Sequence, residues 1–256
     1  MSDFILQTQC LSKAFKGFTA VSDVNLQVRR GSIHALIGPN GAGKTTCFNL
    51  LTKFLEPSAG TILFNGIDIT REKPAQIARR GVIRSFQISA VFPHLTVLEN
   101  VRVGLQRKPG MTYQFWRSSK SLNALDAQAM ELLDHVGLSD FAQTVTVNLP
   151  YGRKRALEIA TTLAMEPELM LLDEPSQGMG HEDVDRVTQL IKKVSAGRTI
   201  LMVEHNMSIV SSIADRITVL QRGAILAEGA YEQISTDPRV MEAYMGTTDT
   251  ALQGAH

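Results

Sequence analysis

The spacing of apolar residues changes twice along the chain, and each change marks a different kind of structure. Up to about residue 90, apolar residues fall in short runs parted by glycines and polar turns. These runs predict strands over 4–10, 24–28, 33–37, 61–65 and 82–86. In the middle, Leu122, Leu125, Ala129, Leu132, Leu133 and Val136 recur at spacings of three and four, with Gly137 as a stop, which predicts a helix. Before it, the polar stretch 106–121, with Pro109-Gly110 and the single tryptophan Trp116, reads as a surface insertion. From Tyr151 helix and strand alternate. A helix over 153–165 leads to the apolar strand Leu169-Met170-Leu171-Leu172. A helix carrying Val184, Val187, Leu190, Ile191 and Val194 leads to a strand over 199–203, and a helix over 207–214 follows. Runs at 217–220 and 224–227 around Arg222-Gly223 predict a hairpin. A last helix with Val240, Met241 and Tyr244 precedes a tail over 247–256, expected to fray. Strand–helix–strand alternation implies right-handed crossovers and a mostly parallel sheet, so the fold class is α/β.

Composition narrows the partners. Of the 256 residues, 44% are hydrophobic and 20% charged, and the net charge is +1. That is enough apolar surface for a sizeable core, and no basic field for nucleic acid. No run of 18 apolar residues predicts a membrane span, and the first residues lack the pattern of a signal peptide. Cys10 and Cys47 are too few for a disulfide framework, which makes the cytosol the expected compartment. Cys47, near a helix start, reads either as an acidified thiol or as a small buried hydrophobe.

The chemistry begins in the turn after the strand over 33–37. Gly38-Pro39-Asn40-Gly41-Ala42-Gly43-Lys44-Thr45-Thr46 fits G-x-x-x-x-G-K-[ST], the phosphate-binding loop. Glycines let successive N–H groups converge on phosphate oxygens. Lys44 can reach the β- and γ-phosphates, and the Thr45 hydroxyl suits Mg²⁺. Phe48, Leu51 and Phe54 follow at helical spacing, so the loop opens a helix whose N-terminus favours an anion. The strand over 169–172 ends in Asp173 and Glu174. Asp173 is placed to hold Mg²⁺ through water, and Glu174 to polarise an attacking water. His205 follows the strand over 199–203 and reads as a γ-phosphate ligand or a water-orienting group. Gln87 ends the strand over 82–86 and either completes the Mg²⁺ shell or positions water.

The order of these stations, with Leu149-Pro150-Tyr151-Gly152-Arg153 between them, resembles the nucleotide-binding subunit of an ABC transporter over most of the chain. The resemblance implies a phosphate-loop NTPase core over about 1–90 and 155–246, with an antiparallel β part near the N-terminus. A helical subdomain over about 91–154 is inserted in it. It implies ATP and Mg²⁺ as cofactors and Phe15 stacked on adenine, with Phe18 as rival. Residues 149–153 stand where that family usually has Leu-Ser-Gly-Gly-Gln. Gly152 matches its second glycine, whose N–H would meet the γ-phosphate of a second ATPase subunit packed head to tail. Pro150 lacks the usual hydroxyl and N–H. Lys154 or Arg155 would supply charge instead, or form a solvated face. Gly180 stands where an aspartate is common. The Leu-x-Tyr-Gly form, residues 155–160 and the end over 239–246 are similar to the longer ATPase subunit of bacterial branched-chain amino-acid importers. Urea or amide importers and lipopolysaccharide exporters have similar ATPases, and a soluble ABC-type ATPase without a transport role is the alternative of a different class. Such a subunit would sit on the inner face of the cell membrane against permease subunits and serve an external substrate-binding protein. In the segment 88–100, Val91, Phe92, Leu95 and Val97 would face the permease or pack the helical subdomain.

Overall fold

The computed structural model describes residues 3–85, 91–106 and 125–252, the last seven by their backbone alone. Gln87 and the expected insertion beyond Gln106 lie outside the described residues. The central sheet has six strands in the order β11-β10-β4-β9-β8-β7. These are Ile33–Ile37 (β4), Val82–Ser85 (β7), Leu169–Asp173 (β8), Thr199–Val203 (β9), Arg216–Gln221 (β10) and Ala224–Gly229 (β11). All neighbours run parallel except the β10–β11 hairpin. Apolar residues alternate between its two faces. Leu36, Leu171 and Leu201 join one core, while Ala35, Met170 and Ile200 join the other. A sheet buried on both sides explains why its strands read as mostly apolar runs.

The second sheet is antiparallel and pairs Phe4–Phe15 (β1) with Phe18–Val24 (β2), Gln27–Arg29 (β3) and Ala59–Phe64 (β5), whose other edge carries Ile67–Asp68 (β6). β1 is longer than its apolar run, and the expected strand over 24–28 is divided between β2 and β3. Polar Ser22 and Asp23 continue β2 because one face of this sheet meets solvent. The helix after the phosphate loop is Lys44–Leu51 (α1). It stops short of Phe54 because Lys53 takes a left-handed φ of 62° and turns the chain, leaving Phe54 exposed.

Pro74–Arg79 (α2) precedes β7. Val97–Leu105 (α3), Asp126–His135 (α4) and Tyr151–Leu163 (α5) pack on one another. His181–Val194 (α6), Met207–Ile213 (α7) and Tyr231–Ser235 (α8) follow, and Pro238–Leu252 (α9) runs into the stretch expected to fray. Cys47 is fully buried and its thiol is pushed up to about 12, so it is the small hydrophobe and not an acidic thiol.

His34 of β4 is buried, with its Nε2 2.8 Å from the Thr218 hydroxyl. Burial first, then the charge of Arg216, lowers its pKa from 6.5 to about 4. The unfolded chain therefore takes up this proton at a higher pH than the folded protein does. The stability from His34 is complete above pH 6.5 and is lost as the pH falls toward 4. The loss amounts to roughly 3 kcal/mol. Urea titrations at pH 7.5, 5.5 and 4.5 will show the wild type losing more stability than His34→Gln over that range.

Candidate phosphate-loop active site

Three neighbouring strands, β4, β9 and β8, deliver the chemistry at their carboxyl ends. The loop after β4 runs into α1, whose N-cap is Gly43. Two glycines are there because nothing larger fits. A Cβ on Gly38 would lie 2.2 Å from the Leu220 carbonyl oxygen, and one on Gly43 2.4 Å from that of Ala20, where φ is also +100°. Lys44 is buried and folds back on the loop, donating to the carbonyls of Gly38 at 2.7 Å and Pro39 at 3.0 Å. Burial lowers its pKa, and the nearby charges of Glu174 and Asp173 oppose that shift. The same interaction places both carboxylates beside the loop.

Glu174 follows β8 with a left-handed φ of 45°, a conformation that costs a side-chain-bearing residue on the order of 1 kcal/mol. Its N–H reaches across to the Val203 carbonyl at 2.9 Å. Its Oε1 lies 2.7 Å from His205 Nε2. A carboxylate only accepts, so that histidine nitrogen is the donor. The pair thus joins the ends of β8 and β9, as the adjacency of those strands requires. Asp173 is engaged differently: its Oδ2 accepts from Arg84 Nη2 at 2.5 Å, while Arg84 Nη1 donates to Asn49 at 2.6 Å.

Phe15 and Phe18 pair across the β1–β2 turn and are 44% and 63% exposed, so neither is a core aromatic. β2 joins this turn to the loop, since Ala20 touches Gly43 and Ser22 donates to the Gly223 carbonyl. The hairpin turn in turn donates from Gly223 N–H to the Ala42 carbonyl at 3.0 Å. The β1–β2 turn that carries both aromatics is thus joined to the loop through β2.

The helix α5 begins at Tyr151 with Pro150 as its N-cap, where the missing N–H breaks no intrahelical hydrogen bond. Gly152 lies in its first turn, and a Cβ there would meet the Asp183 carboxylate at 2.8 Å. Tyr151 donates its hydroxyl to the Gln177 carbonyl at 2.7 Å, tying this helix end to the loop after Glu174. Arg155 is neither a solvated face nor a free anion donor. It is buried, bonds Glu158 at 2.5 Å and donates to the Asp173 backbone carbonyl at 3.1 Å. Lys154 donates to the Val147 carbonyl.

Arg84 and Glu204 are the residues that sequence reasoning missed, and Arg155 is one whose role it misjudged. Each is charged and either buried or, for Arg84, part-buried beside a catalytic strand, and a charge next to an apolar run was the only available signal. In the segment 88–100 the structure divides the apolar residues. Val97 is buried and Val91 packs on the core, whereas Phe92 is 51% exposed.

A glycine-built phosphate loop with its lysine after β4 and two carboxylates at the end of β8 define the class, a phosphate-loop nucleotide-binding ATPase. The comparisons place it more closely. The chain belongs to the ABC transporter family, which matches residues 21–177, while the branched-chain amino acid ATP-binding cassette transporter family matches residues 224–250. It is 41% identical over 256 residues to the high-affinity branched-chain amino acid transport ATP-binding protein LivG of Escherichia coli strain K12, covering 96% of this chain and 99% of LivG. It is 38% identical over 253 residues to the corresponding protein BraF of Pseudomonas aeruginosa, with the same coverage. The ADP conformation of an ATP-binding cassette of an ABC transporter superposes with a TM-score of 0.84 at 31% identity, over 96% of this chain and 100% of that one.

Proposed function

We propose that this chain is the ATP-hydrolysing subunit of an importer for branched-chain or related hydrophobic amino acids. The observation that carries the catalytic part is the 2.7 Å contact between Glu174 and His205 beside the loop lysine. The resemblance to LivG and BraF along the whole chain supports the cargo class. The loop over 38–46 cradles the phosphates of ATP through its backbone N–H groups, and Lys44, with two of its three donor directions held by Gly38 and Pro39, turns toward the β- and γ-phosphates. Phe15 or Phe18 offers adenine a flat apolar face. Glu174 takes the proton of the attacking water as base, and His205 holds that carboxylate and the γ-phosphate in register.

The site suits Mg²⁺, because the Thr45 hydroxyl and the Asp173 carboxylate supply hard oxygen donors next to the phosphates. When bound, the metal neutralises charge developing on the β- and γ-oxygens. Arg84 orients Asp173 for that role by fixing one of its oxygens. By its residue type, Gln87 would complete the Mg²⁺ shell or position water. One chain carries one loop and one Gly152, so two cassettes pair head to tail, and Gly152 of each closes on the nucleotide of the other.

We also infer that the helical part over about 91–154 docks on permease subunits, which holds the chain on the inner face of the membrane. Phe92, Val145 and Val147 form an exposed apolar cluster there, drawn together by Val147 N–H on the Pro93 carbonyl and by the Thr96–Val145 bridge. Such clusters mark partners. Co-isolation with the neighbouring permeases from detergent extracts tests this. The wild type is expected to remain bound and a folded Phe92→Glu chain to be released. A Phe92→Glu chain retained as well as the wild type would refute the docking face.

A further inference from the structure

Glu204 is an acidic residue immediately after a fully buried strand. It follows β9, is 2% exposed, and its carboxylate accepts four hydrogen bonds from the two loops that flank Glu174. From the loop after Glu174, the Ser176 N–H donates to Oε1 at 2.9 Å and the Ser176 hydroxyl to Oε2 at 3.0 Å. From the loop after β9, the N–H groups of His205 and Asn206 donate to Oε2 at 3.0 and 3.2 Å. Glu174 sits between these loops, with its own N–H on Val203 and its carboxylate on His205.

We propose that Glu204 is a positioning residue for ATP hydrolysis, locking the Pro175–Ser176 turn to the backbone of His205 and so setting the geometry of the Glu174–His205 pair. A carboxylate is the right group for this place. It offers acceptors only, and every partner here is a donor. Glutamine has nearly the same shape, but its NH₂ must face a donor whichever way the amide is turned. A buried polar group is tolerated only when its partners are complete, so the amide would push the two loops apart. None of the hydrogen bonds that Glu204 makes among the described residues goes to the loop over 38–46 or to Lys44. Loss of Glu204 therefore acts on the hydrolytic geometry and leaves nucleotide binding in place. Misplacing a reacting group by about 1 Å costs on the order of 10²-fold in rate.

The inference rests on the assignment of Glu174 and His205 to hydrolysis, and the experiment separates the two. ATP turnover is measured on the full-length chain in its permease complex, for wild type, Glu174→Gln, Glu204→Gln, Ser176→Ala and the Glu204→Gln/Ser176→Ala pair. Glu204→Gln is expected to lower kcat about 10- to 100-fold with KM for ATP within about threefold of wild type. Ser176→Ala, which removes one of the four donors, is expected to lower kcat by a smaller factor, and to add nothing further in the Glu204→Gln background. Wild-type kcat in Glu204→Gln, or an effect confined to KM, while Glu174→Gln is inactive, overturns the positioning role alone. Wild-type turnover in Glu174→Gln overturns the site assignment beneath it. Should Glu204→Gln not fold, Ser176→Ala decides: lowered kcat at unchanged KM supports the role, and unchanged kcat overturns it.

Discussion

Glu174→Gln will bind ATP with the affinity of the wild type and turn it over about 10²- to 10⁴-fold more slowly, the range that general-base catalysis supplies. The substitution keeps the side chain's length and its hydrogen bond from His205 Nε2, now to an amide oxygen. What it removes is the capacity to take a proton from water. Nothing in the phosphate loop depends on Glu174 for its shape, since Lys44 is held by the carbonyls of Gly38 and Pro39. Binding and chemistry are thus separable at this residue. Fluorescent-nucleotide titration reads the first and phosphate release reads the second. On the head-to-tail pairing proposed above, with hydrolysis needed to reopen the pair, the variant will also accumulate as ATP-bound pairs.

Lys44→Ala will do the opposite and weaken ATP binding about 10- to 100-fold, as expected for one lost hydrogen bond to a charged group. Lys44 is buried, and burial already lowers its pKa, while Glu174 and Asp173 pull it back up. An anionic phosphate arriving beside it would relieve that cost. Removing the ammonium also frees the two loop carbonyls that it now occupies, so the loop loses a brace together with a charge. Calorimetric titration with a non-hydrolysable ATP analogue checks this directly; unchanged affinity would remove Lys44 from the phosphate site.

The two predictions draw on parts of the molecule that were unequally legible in the chain. β4 and β9 emerged with the boundaries that their mostly apolar runs imply, because strands buried on both faces select apolar residues at nearly every position. The phosphate loop was legible because its backbone geometry demands glycine at set positions, and the contacts at Gly38 and Gly43 show why. The antiparallel sheet was harder to read. Its solvent face admits Ser22 and Asp23, which break the apolar signal of β2. Hardest were Arg84, Arg155 and Glu204, each with a partner far off in the chain, 89, 18 and 28 residues away. A lone charge carries no mark of the distant group that will pair with it, so composition alone suggested a solvated residue at Arg155 where the fold buries one. Pro150 is the reverse case. It looked like a lost phosphate donor, and the structure gives it a second meaning as the N-cap of α5, with Tyr151 binding the loop beyond Glu174.

The central claim is that hydrolysis at Glu174 powers amino-acid import, and coupled hydrolysis in sealed vesicles tests it most directly. The complex of this chain with its permeases and companion ATPase is reconstituted with ATP on the cassette side and a leucine-loaded binding protein on the other. The account predicts that the loaded binding protein raises ATP hydrolysis and that leucine accumulates on the cassette side, both being lost with Glu174→Gln. Leucine accumulation undiminished by Glu174→Gln, or wild-type hydrolysis indifferent to the loaded binding protein with no leucine moved, would contradict it.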